Sequence, residues 1–244
     1  MISSVDIRKE TWSVEDLDQL GLVLSTCTKL TDIYLRQVEE IQRNAEEIVD
    51  VAPVISRLLS YHPHLVKIGL KGFELAGTFA NFPLPPVENL RLCECTFTDE
   101  DWYFMANRSD LAIKTLVVSS NLEDHFPSLC SFLVNQAPTI EMLGLQFPIL
   151  TVEEICNILR IMARFNKLSS LELTCMKDPD YAIIEKITID IMSIHSSRKL
   201  LINIPSPDVA MDITADVILV NEAIRRSCKA NRRPPLKVTL HFTQ

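Results

Sequence analysis

Glycine is scarce in this chain: five in 244 residues, at Gly21, Gly69, Gly72, Gly77 and Gly144. None falls in a GxGxxG or GxxxxGK[ST] pattern, which sets aside the loops that cradle nucleotide phosphates. Basic charge is also short, with 24 Lys and Arg against 32 Asp and Glu, a net charge of −8 and a pI near 5.2. Nonspecific nucleic-acid binding rests on clustered cations that release counterions from phosphates, so it is disfavoured. No CxxC pair occurs, and the seven cysteines are an odd number placed mostly within apolar stretches. They read as reduced core thiols, which points to an intracellular, reducing compartment, the cytoplasm or the nucleus. No uncharged apolar run approaches the roughly 20 residues that span a bilayer, and the opening MISSVDIRKETW has neither the basic segment nor the long apolar run of a signal peptide. No membrane partner is expected.

What the chain does have is repetition. A pattern apolar-x-x-apolar-x-apolar recurs at Ile2-Val5-Ile7, Leu30-Ile33-Leu35, Leu65-Ile68-Leu70, Val87-Leu90-Leu92, Ile113-Leu116-Val118, Ile140-Leu143-Leu145 and Leu168-Leu171-Leu173. Two weaker copies, with Lys199 and Lys237 in the first position, follow around Ile202-Ile204 and Leu240-Phe242. Taking Val5, Ile33, Ile68, Leu90, Leu116, Leu143, Leu171, Ile202 and Leu240 as middle positions, the intervals are 28, 35, 22, 26, 27, 28, 31 and 38 residues. An interval of about 27 holds one short strand and one helix.

The spacers support that division. Ser13 and Thr98 each stand before acidic residues, Thr151 and Glu154 form a capping box, and apolar residues in the spacers follow the helical period. Helices are also predicted through 41–60, 122–136, 179–194 and 207–229, with Ser206 as N-cap of the last. The breaks His62-Pro63-His64, Ala137-Pro138-Thr139 and Phe165-Asn166-Lys167 end helices and turn the chain back before the next strand.

The segment Val87-Glu-Asn-Leu90-Arg-Leu92-Cys-Glu-Cys95-Thr-Phe97-Thr98-Asp99 resembles a leucine-rich repeat of the ribonuclease-inhibitor and F-box, cysteine-containing kind. The resemblance covers essentially the whole chain. Other copies depart from it: where those families place Asn or Cys, this chain has Glu10, Val38, Phe73, Cys95, Asn121, Pro148 and Met176. The expected architecture is α/β, a leucine-rich repeat solenoid with a parallel concave sheet and convex helices. It forms a single domain over 1–244 with about nine repeats and a C-terminal cap over 206–244. The competing architecture is an ordinary α/β sheet of alternating strands and helices.

Strand periodicity turns the residues between the apolar ones onto the opposite face. On the first four strands these are Ser4, Asp6 and Arg8; Asp32, Tyr34 and Arg36; Lys67, Gly69 and Lys71; and Asn89, Arg91 and Cys93, five basic side chains against two acidic. On the next three they are Thr115, Val117 and Ser119; Met142, Gly144 and Gln146; and Ser170, Glu172 and Thr174, a nearly neutral set. Arg8, Tyr34, Arg36, Lys67, Lys71 and Arg91 are the candidate partner-binding residues. Arg36, Lys71 and Arg91 are expected within reach of one extended acidic or phosphorylated segment, with Tyr34 as an aromatic anchor. The competing reading is that these cations are solvated or paired with Asp6 and Asp32. The first strand begins at Ile2 with nothing ahead of it, so a missing N-terminal segment, a partner or self-association is expected to cover its edge. The basic run Arg225, Arg226, Lys229, Arg232 and Arg233 reads as ordinary helix-end charge.

Catalytic and metal-binding readings find little support. His62 and His64 precede one strand whereas Cys93 and Cys95 follow the next, at opposite ends of a parallel sheet, so they are not expected to converge on zinc. No Cys/His pair has a local nucleophile signature. No cofactor, metal or catalytic residue is assigned. The expected function is a noncatalytic protein-interaction scaffold that binds a partner on its concave face. Resemblance to F-box repeat proteins implies a substrate-recognition or adaptor role in a ubiquitin ligase, although no F-box-like segment is present. The alternatives are a regulatory protein that binds an acidic or phosphorylated ligand or nucleic acid through the basic patch, and a GTPase-activating protein that supplies Arg8, Arg36 or Arg91 to its partner.

Overall fold

Each copy of the apolar pattern forms a short strand, and the spacers form helices wherever they are described. The computed structural model describes residues 2–37, 52–81, 84–108, 110–119, 126–147, 157–158, 161, 164–175, 199–205 and 237–243. These carry the strands β1 (Ser4–Lys9), β2 (Asp32–Gln37), β3 (Lys67–Lys71), β4 (Asn89–Cys93), β5 (Thr115–Ser119), β6 (Met142–Phe147), β7 (Ser170–Cys175), β8 (Lys199–Pro205) and β9 (Lys237–Thr243). The helices are α1 (Val14–Ser25), α2 (Ala52–Ser60), α3 (Thr78–Asn81), α4 (Asp99–Ala106) and α5 (Phe126–Gln136). The helices predicted over 179–194 and 207–229, the Thr151 capping box and most of the predicted 206–244 cap lie outside the described residues.

The chain divides into two compact units, Met1–Gln136 and Ala137–Gln244. In the first, β1 to β5 pair in sequence order, all parallel. The middle apolar residues fall in one row, Val5 opposite Ile33, Ile33 opposite Ile68, Ile68 opposite Leu90 and Leu90 opposite Leu116. Each connection steps to the adjacent strand, and parallel crossovers are right-handed, so the helices of this unit share one face of the sheet. Ile33, Leu35, Ile68, Leu90, Leu92, Leu116 and Val118 are buried beneath them. At the edge, Val5 and Ile7 remain half-exposed and Ile2 is exposed.

In the second unit β6 to β9 are again parallel and in sequence order. One alignment differs from the sequence reading. Leu171 pairs with Leu200 rather than with Ile202, which lies opposite Leu173. A shift of two residues keeps every side chain on its own face, so the period-two pattern does not distinguish the two registers.

Helix entries follow the capping chemistry. Ser13 Oγ accepts from the Asp16 N–H at 3.1 Å while Asp16 accepts from the Ser13 N–H at 2.9 Å, a capping box for α1. Lys9 also binds Asp16, and chiefly this contact holds the Asp16 carboxyl down at about 2. Thr98 and Asp101 cap α4 in the same way. The 22 residues from Ile68 to Leu90 leave room for little more than the single turn of α3. Aromatic rings link these short helices: Phe79 lies 5.8 Å from Phe97, Phe97 lies 5.2 Å from Trp102, and Trp102 lies 5.6 Å from Phe132. Such pairs add about 0.5–1.5 kcal/mol each beyond area burial.

Among Cys27, Cys93, Cys95 and Cys130 only Cys95 is buried, and the other three are half-buried rather than in the core. Cys95 donates to the carbonyls of Cys93 and Leu70, at 3.2 and 3.5 Å. Burial pushes its thiol up to about 12. Phe73, at the equivalent position one strand earlier, is buried as well. Val38, Asn121, Pro148 and Met176 lie outside the described residues.

Candidate interaction face of the first unit

The face of β1 to β5 opposite the helices is built in three rows. Ser4, Asp32, Lys67, Asn89 and Thr115 form the first; Asp6, Tyr34, Gly69, Arg91 and Val117 the second; Arg8, Arg36, Lys71, Cys93 and Ser119 the third. Adjacent members stand about 4.8 Å apart and successive rows about 6.6 Å, since two residues separate them along each strand. Every residue of these rows except Gly69 retains solvent exposure, and Arg8 and Arg91 are exposed outright.

All six candidate residues lie on this face, but not as one cluster. Arg36 and Lys71 are in-register neighbours in the third row, whereas Arg91 is in the second, beside Gly69. Arg36, Lys71 and Arg91 thus stand on the successive strands β2, β3 and β4, with Arg91 one row back from the other two.

Ion pairing divides the cations further. Arg36 meets Asp6 at 2.9 Å, Lys67 meets Asp32 at 3.0 Å, and Lys71 meets Glu94 at 2.9 Å. The bond to Asp32 raises the Lys67 ammonium above its ordinary value. The pairing of Arg36 and Lys67 with Asp6 and Asp32 is the competing reading of the sequence, and for those two cations it is what the structure contains. Among the described residues Arg8 and Arg91 have no ion pair. Exposed pairs of this kind contribute only about 0–1 kcal/mol, so they mute the face electrostatically more than they stabilise the fold.

Two features were not anticipated. Glu94, directly after β4, adopts φ +53°. It corresponds to Gly72 after β3, which adopts φ +79°. A non-glycine residue there costs roughly 1–2 kcal/mol, and the bend brings the Glu94 carboxylate to Lys71. The signal was available in the alignment of Gly72 with Glu94 two rows beyond the middle apolar residues.

The second feature is the Tyr34 ring, which lies across Gly69. A Cβ at Gly69 would stand 2.3 Å from Tyr34 Cδ1, so only glycine leaves room for the ring in this pose. Tyr34 is thus laid on the sheet, between Asp6 and Arg91 of the same row. From the helix side, Trp12 donates to the Arg36 carbonyl at 3.1 Å and its ring lies 6.3 Å from that of Phe73, bracing the ends of β2 and β3.

Cys93 sits among these charges. Burial, followed by the Glu94 carboxylate, raises its thiol above the ordinary value, while Lys71, Arg91 and Arg36 act in the opposite direction. His62 and His64 lie at the start of β3 and Cys93 and Cys95 at the end of β4, so parallel pairing separates them by the strand length. Among the described residues no helix is long and apolar enough to cross a membrane. No protein-family model matches the chain, and no curated protein matches it.

Proposed function

We propose that this chain is a noncatalytic protein-interaction scaffold of leucine-rich repeats that holds a partner protein against the open face of β1 to β5. The observation that carries the reading is the face itself. It is a wide, shallow, in-register array of polar side chains, with five cations against three carboxylates on a chain whose net charge is −8. Broad faces of repeated strands suit extended protein surfaces, whereas small-molecule sites are enclosed and mostly apolar. Through the repeat resemblance, the role would be that of an adaptor or substrate-recognition subunit of a ubiquitin ligase.

Crosslinking in cell extract, with mass-spectrometric mapping of the linked residues, tests the reading. The expected result is one defined protein linked through Lys67 and Lys71, with the links lost when Tyr34→Ala and Arg91→Glu are combined. Links confined to lysines off this face, such as Lys29 and Lys167, would overturn it.

A further inference from the structure

We propose that the partner contributes an extended acidic peptide segment, and that Arg8 and Arg91, the two cations of this face without an ion pair among the described residues, receive it across the Tyr34 ring. This rests on the scaffold reading and specifies the chemistry of its ligand.

Of the five cations on the face, three are already answered. Asp6 holds Arg36, Asp32 holds Lys67, and Glu94 holds Lys71. An incoming carboxylate meets competition at each of those positions and, among the described residues, none at Arg8 or Arg91. Arg8 lies in the third row of β1 and Arg91 in the second row of β4. Three strand spacings and one row spacing place their Cα atoms about 16 Å apart, the reach of about five extended residues. Tyr34 occupies the ground between them, held down on Gly69. A ring fixed in one pose loses little entropy on binding, as interface anchors require. Acid groups about five residues apart, with an apolar or aromatic side chain between them, therefore match the face. Nucleic acid is the weaker fit, because Asp6, Asp32 and Glu94 lie among the cations that would meet consecutive phosphates.

Asp6 and Glu94 then act as intramolecular competitors, which makes the assignment testable in both directions. The probe is a fluorescein-labelled six-residue peptide with glutamate at both ends, tryptophan near the middle and Gly or Ser elsewhere, titrated by anisotropy at about 50 mM salt, where screening is weak. Companion probes carry phosphoserine in place of glutamate, lysine in place of glutamate, or two adjacent glutamates. The 244-residue chain is expected to bind the spaced acidic and phosphorylated probes and not the lysine probe, with adjacent glutamates at least threefold weaker. Arg8→Glu with Arg91→Glu is expected to weaken binding at least tenfold. Asp6→Asn and Glu94→Gln, which free Arg36 and Lys71, are each expected to tighten it two- to fivefold. All four positions are exposed, and circular dichroism confirms that each variant folds.

If Arg36→Glu and Lys71→Glu weaken binding as much as the Arg8 and Arg91 changes, and Asp6→Asn and Glu94→Gln do nothing, the free-cation assignment is overturned while the scaffold reading stands. If no substitution on the face, Tyr34→Ala included, alters either probe binding or the crosslinks, both fall. An oligonucleotide of equal charge that binds more tightly than the peptide, with the same sensitivity to Arg8 and Arg91, would overturn the peptide assignment.

Discussion

Asp101→Ala removes a carboxylate that is fully buried and ties two repeats together. One oxygen, Oδ1, accepts from the N–H groups of Phe79 and Ala80 at 2.8 and 3.0 Å, in the single turn of α3. The other, Oδ2, accepts from Gly77 N–H at 2.8 Å and from the Thr98 N–H and hydroxyl at 3.0 and 2.9 Å. A helix of four residues gains almost nothing from propagation, so α3 depends on this neighbour for its N-terminal donors. In the alanine variant the buried Phe79 N–H loses its partner, at about 1–3 kcal/mol. Loss of the α4 cap adds about 1 kcal/mol, and the half-buried Gly77 and Ala80 donors add a smaller amount. The expected loss is about 4 kcal/mol, beyond the usual range of point substitutions and a large part of a typical stability of 5–15 kcal/mol. Asp101→Asn is expected to lose about 2–3 kcal/mol, because either orientation of the amide turns its NH2 toward N–H donors. Glu88→Gln, which breaks only the exposed pair with Lys114 at 2.7 Å, is the control and should cost no more than about 1 kcal/mol. Urea unfolding followed by tryptophan fluorescence reads this directly, since Trp102 is fully buried in α4. A midpoint for Asp101→Ala within about 1 kcal/mol of the parent at unchanged slope would refute the reasoning.

Two further outcomes follow from single contacts. Gly69→Ala places a methyl group 2.3 Å from Tyr34 Cδ1 and is expected to cost about 1–3 kcal/mol as overpacking; Tyr34→Ala in the same molecule should recover most of it, and strict additivity in the double-mutant cycle would refute the stacked pose. Burial lowers the His62 imidazole below its ordinary value, so the unfolded chain binds the proton more readily. The stability that His62 contributes is therefore complete above about pH 6.5 and is lost as pH falls below that toward the lower folded value. Denaturant melts from pH 5 to 7.5 should show that decline, flattened by His62→Leu; an identical slope in the variant would refute it.

The parallel strands were legible because each repeat states its own burial. Leu65, Ile68 and Leu70, or Val87, Leu90 and Leu92, are spaced as only a short strand with one covered face requires, and all six are buried. The caps at Ser13 and Thr98 were equally plain, being contests between local hydrogen-bonding groups decided within four residues. The pairing of Leu171 with Leu200 was not legible, because a slip of two residues leaves the alternation unchanged.

The candidate face divides in the same way. Sequence periodicity by itself determined that Arg8, Tyr34, Arg36, Lys67, Lys71 and Arg91 share one surface, since strand side chains alternate whatever the strands pair with. Only the tertiary structure decided which cations remain available. That depends on Asp6 reaching Arg36 across 30 positions of sequence and on a left-handed turn swinging Glu94 to Lys71. It also depends on Gly69 lying under Tyr34 from the next strand. Facing is a property of the local chain, whereas pairing between charges is set by register and side-chain reach across strands, which exist only once the sheet has formed.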